Sequence, residues 1–134
     1  MPDYIESYQV FADPIYFIQH KNRKSKEIDN GSLLMLEQGH CLRSHILQNN
    51  EISTKHISNF SCTSISTLVA MVDTNIGVSF LPRMAIDFGV LSHYPNINID
   101  LKSTKAKRDI GVIYRKTNPQ EDNIIKLAQL LMAV

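Results

Sequence analysis

The chain has 134 residues, 43% of them hydrophobic, which is enough apolar material for one folded domain and too much for a disordered tail. Fourteen basic and thirteen acidic residues give a net charge of +1, so the overall charge provides no argument for binding to nucleic acid or to a membrane. Two cysteines without a signal peptide or a long apolar run predict a soluble, cytoplasmic protein rather than a disulfide-linked secreted one.

The amino-terminal part of the chain has strand patterns followed by a helix. The segment Gln9 to Ile18 is typical of an extended stretch entering a strand, with Pro14 at the strand start, where a missing N–H group is tolerated. The continuous apolar run Leu33 to Leu36 predicts a short buried strand. A helix is predicted from about His40 to Gln48.

The middle of the chain repeats this order of strand and helix. Asn59 to Thr63 predicts a strand, and Ser64 is placed to cap the following helix through its hydroxyl group. Gly77 is expected to end that helix in the left-handed conformation. The predicted buried face of the helix consists of Ile65, Leu68, Val69, Val72 and Ile76.

The carboxyl-terminal part continues the alternation, which together predicts an α/β fold with right-handed crossovers. Val78 to Leu81 predicts a strand, and Pro82 is expected at the first position of a helix that ends near Phe88. Asn96 to Leu101 and Ile110 to Tyr114 predict two further strands. A final amphipathic helix is indicated by the spacing of Ile124, Leu127, Ala128 and Leu131.

The segment from Gly39 to Arg43 contains the most reactive group that the sequence offers, the thiol of Cys41. A helix start and a nearby guanidinium group both favour a thiolate, so this junction predicts redox sensing or nucleophilic chemistry. The alternative is a small buried cysteine that only fills space. Pairing with His40 or His45 would suggest a thiol enzyme or a zinc site, but neither pattern is specific and a third ligand has no candidate. We therefore predict no enzymatic activity, no metal and no cofactor.

Four blocks of sequence resemble the effector domain of LysR-type transcriptional regulators. They are LLMLEQGHCLR at residues 33–43, TSISTL at residues 63–68, GVSFLP at residues 77–82 and RDIGVIYR at residues 108–115. Within that family, the GHCLR run is similar to the OxyR group of hydrogen-peroxide sensors. The resemblance extends from Phe11 to the last predicted helix.

The resemblance implies a periplasmic-binding-protein type II-like effector domain, built from two α/β subdomains that share a cleft. Residues 1–107 correspond mainly to the second subdomain, and residues 108–134 to the closing strand and helix of the first. The resemblance implies that DNA is bound only through an amino-terminal helix-turn-helix domain, which this chain does not contain. The strand and helix of residues 108–134 then lack their usual partners, and we expect a dimer or a swapped arrangement through them. The intact regulator is expected to be a dimer or a tetramer.

The resemblance also implies which residues react with peroxide. Cys41 matches the peroxide-reactive cysteine, and His40, Arg43 and Arg108 match groups that support its thiolate. In OxyR, the oxidised cysteine condenses with a second cysteine nine residues on, but Asn50 occupies that position here.

Two other groups keep alternatives open. Cys62 is the remaining thiol, and it is either a structural residue of a strand or the thiol that resolves oxidised Cys41. LysR-type effector domains also bind small anions in the cleft, and Thr63 with Ser64 would lie at a helix start suited to an anion. The second hypothesis is therefore a small-anion effector domain without redox chemistry.

Overall fold

The structure, a computed structural model, describes residues 2–24, 28–37, 41–49, 52–100 and 107–133, and within the first helix it describes only the backbone of residues 41, 45, 48 and 49. Strands and helices alternate through most of the chain, so the predicted α/β class is confirmed. The elements in chain order are β1 (Ile5–His20), β2 (Leu33–Leu36), α1 (Cys41–Asn49), a 3₁₀ turn (Thr54–His56), β3 (Ile57–Cys62), α2 (Ile65–Asp73), β4 (Ser79–Pro82), α3 (Arg83–Phe88), β5 (Ile97–Asp100), β6 (Lys107–Arg115) and α4 (Glu121–Met132).

The chain divides into two compact units. Unit 1 contains Met1–Asp13 and Arg108–Val134, and unit 2 contains Pro14–Lys107. The long strand β1 therefore contributes its first part to unit 1 and its second part to unit 2. The sequence-based division at residue 107 grouped residues 1–13 with the larger part of the chain, whereas the contacts group them with the carboxyl-terminal strand and helix.

Unit 2 contains a sheet in which the second part of β1 is central. This part of β1 pairs antiparallel with β4 on one side and with β5 on the other. Strand β2 pairs parallel with β3, and a parallel bridge between Leu33 and Val78 joins β2 to the chain just before β4. Helix α1 lies between β2 and β3 in sequence, as a connection between parallel neighbours requires.

The core of unit 2 lies around these strands. Every residue of β2 and of β4 is buried, which explains why both strands are continuous apolar runs rather than alternating ones. The rings of Phe17 and Phe80 meet edge to face with their centroids 5.4 Å apart. Ser79 is the polar exception within β4, and its hydroxyl donates to the carbonyl oxygen of Leu34 at 2.7 Å. This bond satisfies a hydroxyl group that is fully buried.

The predicted start of helix α2 is confirmed, but its predicted end is wrong. Ser64 is the N-cap, as expected, and Leu68, Val69 and Val72 are buried. The helix ends at Asp73, so Ile76 falls outside it and is 49% exposed rather than buried.

The left-handed residue after α2 is Asn75, with φ 61°, and not Gly77. Asparagine tolerates this conformation better than most residues with a side chain. Gly77 is required for a different reason, because a Cβ atom there would meet the carbonyl oxygen of Ser32 and the side chain of Leu34. The expected glycine cap is therefore wrong, and close packing of the chain against β2 explains the glycine.

The structure places two prolines differently from the sequence-based prediction. Pro14 was expected at a strand start, but β1 begins at Ile5 and runs through Pro14 without interruption. Pro82 was expected as the first helical residue, but it ends β4 and is the N-cap of α3, with extended angles of φ −70° and ψ 147°. The fixed φ of proline suits this extended position as well as it suits a helix start.

Unit 1 is a strand pair with one helix. The first part of β1 pairs with β6, and the N–H group of Lys116 donates to the carbonyl oxygen of Tyr4 at 2.9 Å. Among the described residues of this unit, only Val10, Asp13 and Ala128 are buried. The large apolar residues that stay exposed are Tyr4, Phe11, Ile113, Leu127, Leu130, Leu131 and Met132. Unit 1 thus covers little of its own apolar surface. A strand pair of this kind is only marginally stable by itself.

Candidate functional site

Cys41 is the first residue of α1, the helix that follows the buried strand β2. The helix is fixed in the core by Leu42 and Ile46, which lie one turn apart and are both buried. The backbone of Cys41 therefore has a defined place at a helix start, close to the start predicted near His40. The side chain of Cys41 and the whole of His40 lie outside the described part of the chain.

The first turn of α1 has no acidic residue and contains one cation, Arg43. Backbone N–H groups at a helix start carry partial positive charge and stabilise a nearby anion. A thiolate at position 41 would be in such surroundings. The role of Cys41 as the peroxide-reactive thiol stays a prediction.

Arg43 does not extend freely into solvent. Its Nη1 atom donates to the carbonyl oxygen of Leu36, the last residue of β2, at 3.2 Å, and the side chain is half-buried. The bond joins the end of β2 to the first turn of α1. Sequence reasoning assigned Arg43 only to the thiolate and did not anticipate this backbone partner.

Arg108 is in unit 1, whereas Cys41 is in unit 2. Its Nε atom lies 2.8 Å from Oδ2 of Asp13, a carboxylate that is only 2% exposed. Sequence reasoning missed Asp13, because its partner is 95 residues away and no local pattern connects them. The assignment of Arg108 to the peroxide-reactive thiol stays a prediction.

Cys62 is the last residue of β3 and is 1% exposed. Its Sγ atom lies 3.5 Å from Sδ of Met71 on α2, so the thiol packs against another sulfur. Burial raises the pKa of the Cys62 thiol above its ordinary value. A buried thiol of this kind is protonated and slow to react, which favours the structural interpretation over the resolving one.

Thr63 and Ser64 are exposed at the start of α2. The Ser64 hydroxyl oxygen accepts from the N–H group of Thr67 at 3.2 Å and lies 3.1 Å from the Thr67 hydroxyl. Ser64 is thus the expected helix cap, and the cap already uses one of its acceptor positions. The role of these two residues in binding an anion stays a prediction.

Neither a metal cluster nor a membrane helix occurs in the part of the chain that the structure describes. Within those residues, no three side chains of His, Cys, Asp or Glu are grouped so that they could hold a metal ion. None of the described helices is both long enough and apolar enough to cross a membrane.

Several known proteins are similar to this chain. The HTH-type transcriptional regulator EstR of Acinetobacter baylyi is 29% identical over 133 residues, which are 93% of this chain and 44% of the relative. The hydrogen peroxide-inducible genes activator of Haemophilus influenzae is 30% identical over 112 residues, which are 82% of this chain and 36% of the relative. The chain thus spans less than half the length of these curated relatives.

Solved structures and a family profile also point to regulatory domains of transcriptional regulators. The sulfate-bound regulatory domain of an OxyR2 mutant from Vibrio vulnificus superimposes with a TM-score of 0.90 and 29% identity, covering 99% of this chain and 67% of that chain. Its likeness supports the type II periplasmic-binding-protein-like fold. The profile of the LysR substrate binding domain matches residues 2–134. The chain therefore belongs to the LysR substrate-binding domain family, the effector domains of LysR-type transcriptional regulators, and OxyR regulatory domains are its structural neighbours.

Proposed function

We propose that this effector domain senses hydrogen peroxide through oxidation of Cys41. The observation that supports this most is the position of Cys41 as the first residue of α1, with Arg43 in the same turn. Both the helix start and the guanidinium charge favour the thiolate over the thiol. The relative from Haemophilus influenzae, named as a hydrogen peroxide-inducible activator, supports the same substrate.

The proposed chemistry is a two-electron oxidation of one sulfur atom. The Cys41 thiolate attacks one peroxide oxygen, so that an S–O bond forms as the O–O bond breaks. The sulfur is oxidised to sulfenic acid, and the leaving hydroxide takes a proton to become water. Hydrogen-bond donors near the helix start would stabilise the departing hydroxide.

We propose that the oxidised state is the sulfenic acid of Cys41 or its mixed disulfide with a small thiol. Asn50 stands where an OxyR-type switch would have its second cysteine. Cys62 is buried and has a raised pKa, so it provides few thiolates to attack a sulfenic acid. Resolution by Cys62 is the competing route, and mass spectrometry distinguishes the two.

The test is the intact mass of the chain after brief exposure to dilute peroxide with a sulfenic-acid trapping reagent. We expect one trapped adduct, present in the wild type and in Cys62→Ser and absent from Cys41→Ser. Loss of two hydrogen atoms, dependent on both cysteines, would instead establish resolution by Cys62. If Cys41 reacts no faster than an unstructured thiol in the same tube, peroxide sensing by this domain is wrong.

The second candidate function is binding of a small anion without redox chemistry. It is favoured by the exposed first turn of α2, where Thr63 and Ser64 accompany helix N–H groups and no acidic residue. The similar OxyR2 mutant domain is described as sulfate-bound, which shows that an anion can occupy a related domain. Stabilisation by sulfate or a small dicarboxylate should then survive Cys41→Ser. Thr63→Val should abolish it if the site is at α2.

In the intact regulator, we propose that this domain transmits its signal to an amino-terminal DNA-binding domain. The EstR relative is named as an HTH-type regulator, and more than half of its length lies outside the part that this chain matches. We also propose that the regulator acts as an oligomer. Its target genes, and whether it activates or represses them, are properties of that whole protein.

A further inference from the structure

Arg43 occupies a position where helix electrostatics disfavour a cation. It is in the first turn of α1, where the partial positive charge of the helix start makes acidic side chains stabilising and basic ones destabilising. An arginine there destabilises the helix start modestly, and a specific contact can offset this cost. The structure shows one such contact, the bond from Nη1 to the carbonyl oxygen of Leu36.

The contact connects two elements that differ in how firmly they are held. Leu36 is buried in β2, which pairs with β3, so its carbonyl is part of a fixed strand. Helix α1 is short and is held in the core by two buried residues, Leu42 and Ile46. A bond from α1 to the last carbonyl of β2 therefore fixes the first turn of the helix relative to the sheet, and Cys41 begins that turn.

We propose that Arg43 is a positioning residue, which holds the first turn of α1 against the end of β2 and thereby supports the thiolate form of Cys41. This deepens the proposed peroxide function and rests on it. The guanidinium then acts through its hydrogen bond to Leu36 in addition to the charge that it places in the first turn. Arg43 thus acts on the thiol through the helix rather than by contact with peroxide.

The two explanations of Arg43 predict opposite changes in Arg43→Met. If Arg43 contributed only its charge, its removal would relieve an unfavourable cation at the helix start, and the α1 amides would exchange hydrogen more slowly. If Arg43 holds the turn, the same change should make those amides exchange about tenfold faster, as expected for a lost hydrogen bond to a charged donor. Hydrogen exchange of peptides covering residues 41–49 measures the difference directly.

A second readout tests whether the turn matters to the thiol. The rate of Cys41 alkylation as a function of pH, followed by peptide mass so that Cys62 does not interfere, gives a midpoint for thiolate formation. We expect Arg43→Met to move that midpoint to higher pH. Arg43→Lys retains a charge and a donor, so we expect its α1 exchange rate and its Cys41 midpoint to lie between those of the wild type and Arg43→Met. This variant provides a comparison if Arg43→Met folds poorly.

The chain offers a matched control in Arg83, the first residue of the short helix α3. Its Nε atom lies 3.4 Å from Oδ2 of Asp87 on the same helix, and both side chains are largely exposed. Arg83→Met should leave both α1 exchange and the Cys41 midpoint unchanged. Unchanged or slower α1 exchange in Arg43→Met, or an unmoved midpoint, would overturn the positioning role.

Neither readout contains peroxide, so the two proposals can fail separately. A wild-type Cys41 that does not form a sulfenic acid, together with faster α1 exchange and a shifted midpoint in Arg43→Met, would end the peroxide proposal and keep the positioning role. If wild-type Cys41 forms a sulfenic acid but its midpoint for thiolate formation does not depend on Arg43, the peroxide proposal stands and the positioning role fails.

Discussion

Arg108 and Asp13 form a nearly buried ion pair at the two points where the chain passes from one unit to the other. Asp13 is the last residue of the first segment of unit 1, and Arg108 is the first residue of the second segment. The pair holds β1 and β6 side by side at these points, with 2.8 Å between Nε and Oδ2. A charge as buried as Asp13 requires such a partner.

Removing the arginine should therefore be costly. We expect Arg108→Met to lower the free energy of unfolding by about 3 kcal/mol, because it takes from a buried carboxylate its charged partner. Urea denaturation measures the change. The matched control is Lys116→Met, which breaks the exposed pair with Glu6 and should cost less than about 1 kcal/mol. Equal effects of the two variants would contradict the importance of burial.

Gly77 should not tolerate even a methyl group. A Cβ atom would meet the fixed carbonyl oxygen of Ser32, so we expect Gly77→Ala to cost about 3 kcal/mol. Gly31→Ala is the comparison, because its Cβ would meet nothing within 4 Å and only its φ of 71° is unfavourable. That variant should lose about 1 kcal/mol. If thermal unfolding ranked the two variants in the opposite order, the close packing at Gly77 would be wrong.

The buried thiol of Cys62 should make the domain less stable at high pH. Its pKa is raised from an ordinary value of 9.0, so the folded chain keeps the thiol proton where the unfolded chain loses it. The resulting stabilisation is complete below pH 9.0 and is lost as the pH rises through the higher pKa of the folded state. We expect urea midpoints to fall more steeply above that pH in Cys41→Ser than in the double variant Cys41→Ser/Cys62→Ala. Desolvation and the nearby Glu121 and Glu6 also raise the pKa of Tyr114, so Tyr114→Phe is the control for its contribution.

The apolar surface of unit 1 should drive self-association. Leu127 and Leu130 on α4 are largely exposed, and large exposed apolar patches usually mark contacts between proteins. We expect light scattering to find a dimer or larger species for the wild type and a smaller one for Leu127→Lys/Leu130→Lys. Phe88→Lys, at a residue 90% exposed in unit 2, is the control and should keep the wild-type size. A wild type that is strictly monomeric would contradict self-association through residues 108–134.

The sequence predicted those features that depend on neighbouring residues. The Ser64 cap, the buried side of α2 and the two fully buried strands all follow from local spacing, and the structure contains them. The end of α2 was less predictable, because Asn75 and Gly77 both permit a left-handed turn. Only the approach of β2 to Gly77 decides between them, and that approach is a tertiary contact.

The sequence names candidate site residues, but it does not predict their partners. The start of α1 at Cys41 follows from the strand pattern before it and the helix pattern after it. The bond from Arg43 to the Leu36 carbonyl does not, because a backbone acceptor leaves no signature in residue type. The Asp13 partner of Arg108 was missed for a related reason, since sequence separation alone hides which charges meet.

Unit 2 is one uninterrupted stretch of chain, Pro14–Lys107, inserted between the two segments of unit 1. Because Asp13 and Arg108 are in contact, the inserted stretch enters and leaves at neighbouring points. Chains with adjacent entry and exit points can be cut at an exposed loop and rejoined by a short linker, or exchanged as a block between related proteins. Unit 2 is therefore a single block of sequence, and exchanging residues 14–107 with the matching segment of a relative would need only two junctions.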